Sequence, residues 1–302
     1  MSKILVTGGN GFIGSELVDD LSKKGHKVVS FDIIHEKKNN QIQQFNGSIL
    51  NPYDLDVAMK NCDIVIHLAA MVGVELTEKK RLECLEINIQ GTKFVLDAVI
   101  KQKIKKVFFS SSSEVYGDQE IIPIKEEAQL KPKSNYGITK MVGEEYLKAY
   151  SNFYGFNFNI FRFFNLYGGK QRADFVIPKF NLAIKKNEKI KIYGNGEQIR
   201  SYCNIKDAIA GINKVITKGK KNSIYNIGNN SDPISVINLA KKMIKISKKN
   251  IKIVKIPFEK SDRSSSREIY RRQPSIDKII KDTGYKPKIS IDVGLKELIQ
   301  KK

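Results

Sequence analysis

The chain has little of the chemistry that staples small proteins or grips metals, with three cysteines and three histidines in 302 residues. Cys62, Cys84 and Cys203 are odd in number and lack metal-type spacing, so they read as reduced cytosolic thiols and place the chain in the cytoplasm. No cluster of His, Cys and carboxylates suggests a metal site. No charged leader and apolar core precede "KILVTGG", and no signal peptide is expected. The longest nearly apolar run, "IVIHLAAMVGV", is too short to cross a bilayer and carries His67, so no membrane partner is expected. Acidic residues are also scarce: 32 Asp and Glu against 53 Lys and Arg give a formal charge of +21. Such a field attracts anions. The lysines are spread over the whole length, however, and no basic run is interleaved with aromatics, so nucleic acid is not expected as a partner.

The length allows one large domain or two modest ones with ample core. The first half alternates β-rich runs with helical patterns. "KILVTGG" (3–9), "KVVSFD" (27–32), "DIVIHLAA" (63–70), "KKVFFSS" (105–111) and "FNFNIFRFFN" (156–165) read as strands. Helices are expected over 14–25, 84–102 and 135–154, with a last one over 293–301. This alternation predicts an α/β fold, a doubly wound parallel sheet wrapped by helices. The second half is less regular, with "YGNGEQ" (193–198) and the polar "EKSDRSSSRE" (259–268). It is expected to form a smaller α/β substrate lobe over 168–302, apart from a stretch near 201–228 that returns to the first domain, 1–167.

"TGGNGFIG" sets Gly8, Gly11 and Gly14 at a strand-to-helix junction. The first glycine permits a tight turn, the second lets backbone approach a pyrophosphate, and the third lets helix pack on strand. A diphosphate would rest on the helix N-terminus. Asp32 ends the second strand, where a carboxylate can accept from ribose hydroxyls and would repel a 2′-phosphate. NAD is therefore expected rather than NADP. In "NYGITK", Tyr136 and Lys140 are four apart and share a helix face. An ordinary phenol titrates near ~10, too high for a base at neutral pH. A nearby ammonium and a positive nicotinamide would favour the phenolate, which could take a hydroxyl proton while a hydride leaves the same carbon.

Together these segments resemble the extended short-chain dehydrogenase/reductase family, in its NAD-dependent nucleotide-sugar epimerase/dehydratase branch. The resemblance runs through "TGGNGFIG", "HLAA", "NIQGT", the serines before "VYGD", "YGITK", "RFFNLYGG" and "GNGEQIRSY". It implies that Tyr136 is the catalytic base, that Lys140 orders it and bonds the nicotinamide ribose, and that Ser112 orients the substrate oxygen. It adds Phe12, Ile13, Leu68, Ala69 and Ala70 to the cofactor contacts, and a homodimer through the helices near 84–102 and 136–154. In "NGSIL", Ser48 stands where relatives usually carry an aspartate that helps hold adenine, so that contact is not carried over. His67 is expected to be a satisfied residue beside the cofactor, and Asn88 to make a structural bond.

For the substrate, a nucleotide-diphosphate sugar, the resemblance implies contacts from Ser113, Asn165, Val176 of "FVIPKF", Arg200 and one or both of Arg271 and Arg272. Glu114 has two readings: a base acting beside a C4 ketone, or a polar residue at the strand's mouth. The expected reaction starts by oxidising the sugar at C4. Hydride return to the other face, a 4-epimerase, is the first reading because it needs only Ser112, Tyr136 and Lys140. Alternatives are a dehydratase or uronic-acid decarboxylase using Glu114, and a dehydrogenase that releases the ketone. The intact Ser112, Tyr136 and Lys140 set argues against a non-catalytic NAD-binding protein on this fold.

Overall fold

Short runs rich in β-branched and aromatic residues pair side by side, all parallel, in a computed structural model that describes residues 1–34, 42–257 and 268–300. The strands are β1 (Lys3–Thr7), β2 (Lys27–Asp32), β3 (Ile42–Asn46), β4 (Ile64–His67), β5 (Lys106–Ser112), β6 (Asn157–Phe163) and a last strand, Ser223–Ile227. Across the sheet, β1 lies between β2 and β4, with β3 at one edge and Ser223–Ile227 beside β6 at the other.

Alternate residues of each strand feed two separate cores. Ile4, Val6, Val28 and Phe108 pack with Leu17 and Leu21 of α1 (Phe12–Lys23) and with Ile212. Leu5, Val29, Val65 and Phe109 face the other way, toward Leu55, Val95 and Leu147. Burial on both faces explains why these strands are apolar throughout. A third core lies in the C-terminal part, where Phe180, Ile184, Leu239, Met243, Ile291 and Leu295 meet across three helices.

Strand order reverses at β1, so the β1–β4 crevice is the topological switch point of the sheet. The glycine turn follows β1, "LAA" follows β4, and the serine cluster ends β5. The parallel pairing brings all three to one edge.

Two elements differ from expectation. The sequence reading placed no strand between β2 and β4. Strand β3 is half polar, "IQQFN", and only Ile42 is buried, because this edge strand has a neighbour on one side alone. The helix expected over 84–102 is instead Arg81–Leu85, a π-helical turn at Glu86–Gln90, and Gly91–Lys101. Of "EKSDRSSSRE", only Glu268 lies among the described residues.

Candidate active site

The glycine turn has the geometry that the spacing calls for. Gly8 is at φ +70°, and a Cβ there would lie 2.8 Å from the Ala69 backbone nitrogen. A Cβ on Gly14 would fall 2.0 Å from the Gly8 carbonyl oxygen, so only glycine lets α1 start this close to β1. A Cβ on Gly11, the N-cap of α1, would stand over the helix end with the Gly8 carbonyl oxygen, 3.2 Å away, as its sole near neighbour. No side chain caps α1, so its first N–H groups remain for an anion. Phe12 and Ile13 form that first turn, and Leu68 donates its N–H to the Thr7 carbonyl at 3.1 Å. Asp32 closes the cradle: its two carboxylate oxygens accept from the Asn10 and Ile34 N–H groups at 2.9 and 3.0 Å. The cradle's shape and its carboxylate suit an unphosphorylated adenosine ribose and a diphosphate.

Helix Asn135–Tyr154 begins where Ser134 caps it, its Oγ accepting from the Gly137 N–H at 3.0 Å. The long helix buries Lys140 and leaves Tyr136 half-buried one turn before it. Lys140 Nζ sits 5.7 Å from the Tyr136 ring centroid and 5.1 Å from that of Phe109. Burial lowers the Lys140 ammonium from the usual 10.5 to about 7, despite the Cys84 and Glu144 side chains, which favour its charge. The Tyr136 phenol is pushed up, chiefly by burial and then by the Glu114 carboxylate, while a hydrogen bond with Ser112 pulls it down. The expected lowering of the phenol by Lys140 is thus not the dominant effect in the protein alone. Burial sets the direction, and Lys140 is not among the groups that shift the phenol. Ser112 ends β5 and also accepts from the Glu114 N–H at 3.2 Å. Ser113 is buried beside it.

Glu114 is not a free residue at a strand mouth. Its Oε1 lies 2.7 Å from Arg272 Nη1, and its Oε2 accepts from Ser134 Oγ at 3.2 Å. Burial alone would raise the carboxyl, but Arg272, Ser134 and the more distant Arg200 outweigh it and hold Glu114 below its ordinary value. Arg272 and Arg200 face each other across a parallel pairing of short strands. Arg200 is tied to Glu268 at 2.7 Å and donates to the Ile199 carbonyl at 2.9 Å. The structure separates the two arginines of "YRRQ": Arg271 is exposed, whereas Arg272 is buried and turned onto Glu114. Two buried polar atoms here have no hydrogen-bond partner among the described residues, Arg272 Nε and Asn165 Oδ1. Val176 begins helix Val176–Lys185 and is half-buried.

His67 and Asn88 are satisfied. The Ala69 N–H donates to Thr7 Oγ1 at 3.2 Å, and Thr7 Oγ1 lies 2.7 Å from His67 Nδ1. His67 Nε2 lies 3.1 Å from Thr92 Oγ1, which donates to the Asn88 carbonyl at 2.6 Å. With Thr92 donating onward, this chain assigns the neutral tautomer protonated at Nε2. Burial agrees, lowering the imidazole to about 3. Asn88 bonds both the N–H and C=O of Met71, and Thr139 Oγ1. Sequence reasoning missed a buried pair behind the site, Glu144 with Arg162 at 2.6 Å. Its signal was an arginine inside the apolar run "IFRFF". Among the described residues no group of three or more His, Cys, Asp or Glu could hold a metal ion, and no helix is long and apolar enough to cross a membrane.

A dinucleotide cradle at the switch point, with a Tyr–Lys helix and a serine-ended strand beside it, defines a short-chain dehydrogenase/reductase type of enzyme. Comparison with known proteins gives the family. Residues 4–228 match the NAD dependent epimerase/dehydratase family, and the chain belongs to it. It is 33% identical to a UDP-N-acetyl-alpha-D-glucosaminuronate decarboxylase of Bacillus cytotoxicus, over 99% of this chain and 97% of that protein. Among solved structures, UDP-glucose 4-epimerase of Thermotoga maritima with UDP-glucose superposes with a TM-score of 0.91 at 29% identity, covering 99% of this chain and 97% of that one. UDP-glucuronic acid 4-epimerase from Bacillus cereus, in complex with UDP-glucuronic acid and NAD, gives 0.90 at 28% identity, covering 99% of each chain.

Proposed function

We propose that the chain oxidises a nucleotide-linked sugar at C4 and then decarboxylates it as a uronic acid. The observation that carries the second step is the Glu114–Arg272 pair, largely buried, with Arg272 Nε lacking a hydrogen-bond partner among the described residues. Bound NAD would take the C4 hydride and later give it back. Tyr136 accepts the C4 hydroxyl proton, Ser112 holds that oxygen, and Lys140 supplies positive charge beneath the phenol. Gly8, Gly11, Gly14 and the α1 terminus receive the diphosphate of NAD, Asp32 its ribose, and Leu68, Ala69 and Ala70 line the floor. Ser113 and Asn165 face the sugar nucleotide from the first domain, and Val176 and Arg200 from the lobe at 168–302.

Once C4 is a ketone, a carboxylate on C5 belongs to a β-keto acid. The C5–C6 bond breaks, its electron pair moves toward the C4 oxygen, and carbon dioxide leaves. Protonation at C5 and hydride return to C4 complete the turnover, with Tyr136 giving its proton back. Arg272 can hold the sugar carboxylate through Nε while Glu114 keeps the other edge of the guanidinium fixed. The Glu114 carboxylate, held ionised, also disfavours a second negative charge beside it, which helps expel carbon dioxide. Dehydration would need a proton donor for the departing hydroxide, a group that decarboxylation does not require.

A second reading, 4-epimerisation, is favoured by the assembled Ser112, Tyr136 and Lys140, which suffice if the hydride returns to the opposite face. The enzyme acts in the cytoplasm as a homodimer through the helices near 84–102 and 136–154. Ile138 and Phe153 of the second helix are exposed and lie toward one side of it, which supports a covered face there. The test is product mass after incubation with UDP-glucuronic acid, its N-acetylated amino-sugar counterpart and UDP-glucose. Loss of carbon dioxide from an acid supports decarboxylation. An isomer of unchanged mass supports epimerisation instead, and no reaction with any of the three contradicts both.

A further inference from the structure

The long helix meets the end of β5 at three places. A Cβ on Gly143 would lie 2.5 Å from the Phe109 ring, and one on Gly137 would lie 2.9 Å from the Glu114 carbonyl oxygen, so at both points the helix backbone rides directly on its neighbour. Beside Gly143, Ser111 Oγ donates to Glu144 Oε1 at 2.5 Å. Glu144 is gripped from β6 by Arg162, Nε to Oε1 at 2.9 Å and Nη2 to Oε2 at 2.6 Å. Arg162 and Ser111 are partners in the β5–β6 pairing. Arg162 Nη1 spends its protons on Tyr116 Oη at 3.0 Å and the Glu126 carbonyl at 2.8 Å. The carboxylate and guanidinium are 0% and 2% exposed.

A buried ion pair of this kind is poor evidence for stability, since apolar side chains of similar volume often serve as well. What it does provide is direction. The glycines set how near the helix lies to the sheet, and single bonds from Asn88 to Thr139 and from Tyr150 to Asp97 tie it to its other neighbours. A bidentate guanidinium and a short serine bond fix its position along and around its axis. Glu144 is one turn beyond Lys140 and two beyond Tyr136, and Ser111 directly precedes Ser112.

We infer that Ser111, Glu144 and Arg162 are positioning residues that lock the Tyr136–Lys140 helix in register with Ser112. The role rests on the C4 chemistry proposed above, although none of the three touches substrate. Misplacing a proton acceptor by about 1 Å can cost on the order of 100-fold in rate. Loss of the Ser111 bond alone is therefore expected to lower kcat between about 10- and 100-fold.

Ser111→Ala tests this with the least disturbance, compared with wild type for kcat, KM, NAD affinity and thermal unfolding. The expected result is a lower kcat with KM, NAD affinity and the unfolding temperature nearly unchanged. The Glu144→Leu/Arg162→Leu double variant should stay folded and show the same kcat loss. Folded variants with kcat within about two-fold of wild type would overturn the inference, as would losses that only follow reduced thermal stability. A crystal structure of Ser111→Ala gives a reading that needs no turnover. An unchanged placement of the Tyr136 ring and Lys140 Nζ relative to Ser112 would overturn the positioning role even if the C4 reading failed.

Discussion

Arg272 lies 2.7 Å from Glu114 inside the protein, so the glutamate that ends "SSSSE" is one half of a buried ion pair. Its partner comes from a short strand near the other end of the chain, Arg271–Arg272, paired with Ile199–Arg200. This contact sets a buried guanidinium against the strand end near Tyr136.

Arg272→Met should weaken binding of an acidic sugar. KM for UDP-glucuronic acid is expected to rise far more than KM for UDP-glucose, because only the former carries a carboxylate to lose its donor. The variant also strands a buried carboxylate, at a stability cost of about 3–5 kcal/mol. Steady-state kinetics on both substrates and urea unfolding check the two parts. Equal effects on the acid and the neutral sugar would count against a carboxylate contact.

Tyr136→Phe should lower kcat by about 100- to 10,000-fold, the usual share of a positioned proton acceptor. NAD affinity, measured by calorimetry, should stay near wild type, since the glycine turn and Asp32 are untouched. A comparable loss of NAD binding would point to a structural role for the phenol.

Asp32→Ser should relax cofactor choice. The carboxylate accepts from the Asn10 and Ile34 N–H groups and would repel a 2′-phosphate. The ratio of NAD to NADP affinity is expected to fall by at least about ten-fold, and an unchanged ratio would remove Asp32 from the ribose site.

Lys140 predicts a pH effect on stability without NAD. Its ammonium drops from 10.5 to about 7 on folding, first because of burial. Between those values the unfolded chain binds a proton that the folded chain does not, so this residue makes folding more favourable as pH rises through that window. Relative to Lys140→Met, wild-type stability should climb by on the order of 1 kcal/mol per pH unit between about pH 7.5 and about pH 9.5. Urea unfolding of both proteins at these two pH values reads it, and parallel curves would contradict the shift.

Much of the fold was legible because local signals agreed. β1, β2 and the helix Asn135–Tyr154 lie where periodicity puts them, the last bounded by the Ser134 cap and by Gly155 in the left-handed region. β3 escaped because an edge strand needs no apolar pattern on both faces, and the π-helical turn because 3.6-residue spacing does not register one extra residue. At the site, the glycine turn and the Tyr136–Lys140 pair sit in short motifs, which local spacing alone puts at a strand-to-helix junction and on one helix face. The Glu114–Arg272 and Glu144–Arg162 pairs join residues far apart in the chain. Neither side of such a contact carries a local mark beyond a charge in an apolar setting.

The most direct test follows deuterium placed at C4 of UDP-glucuronic acid. Turnover through C4 oxidation by held NAD predicts slower reaction of the labelled sugar and a product that still carries deuterium at C4, returned by the same cofactor. Product formed at an undiminished rate, or with deuterium at C4 lost to solvent, would contradict the account.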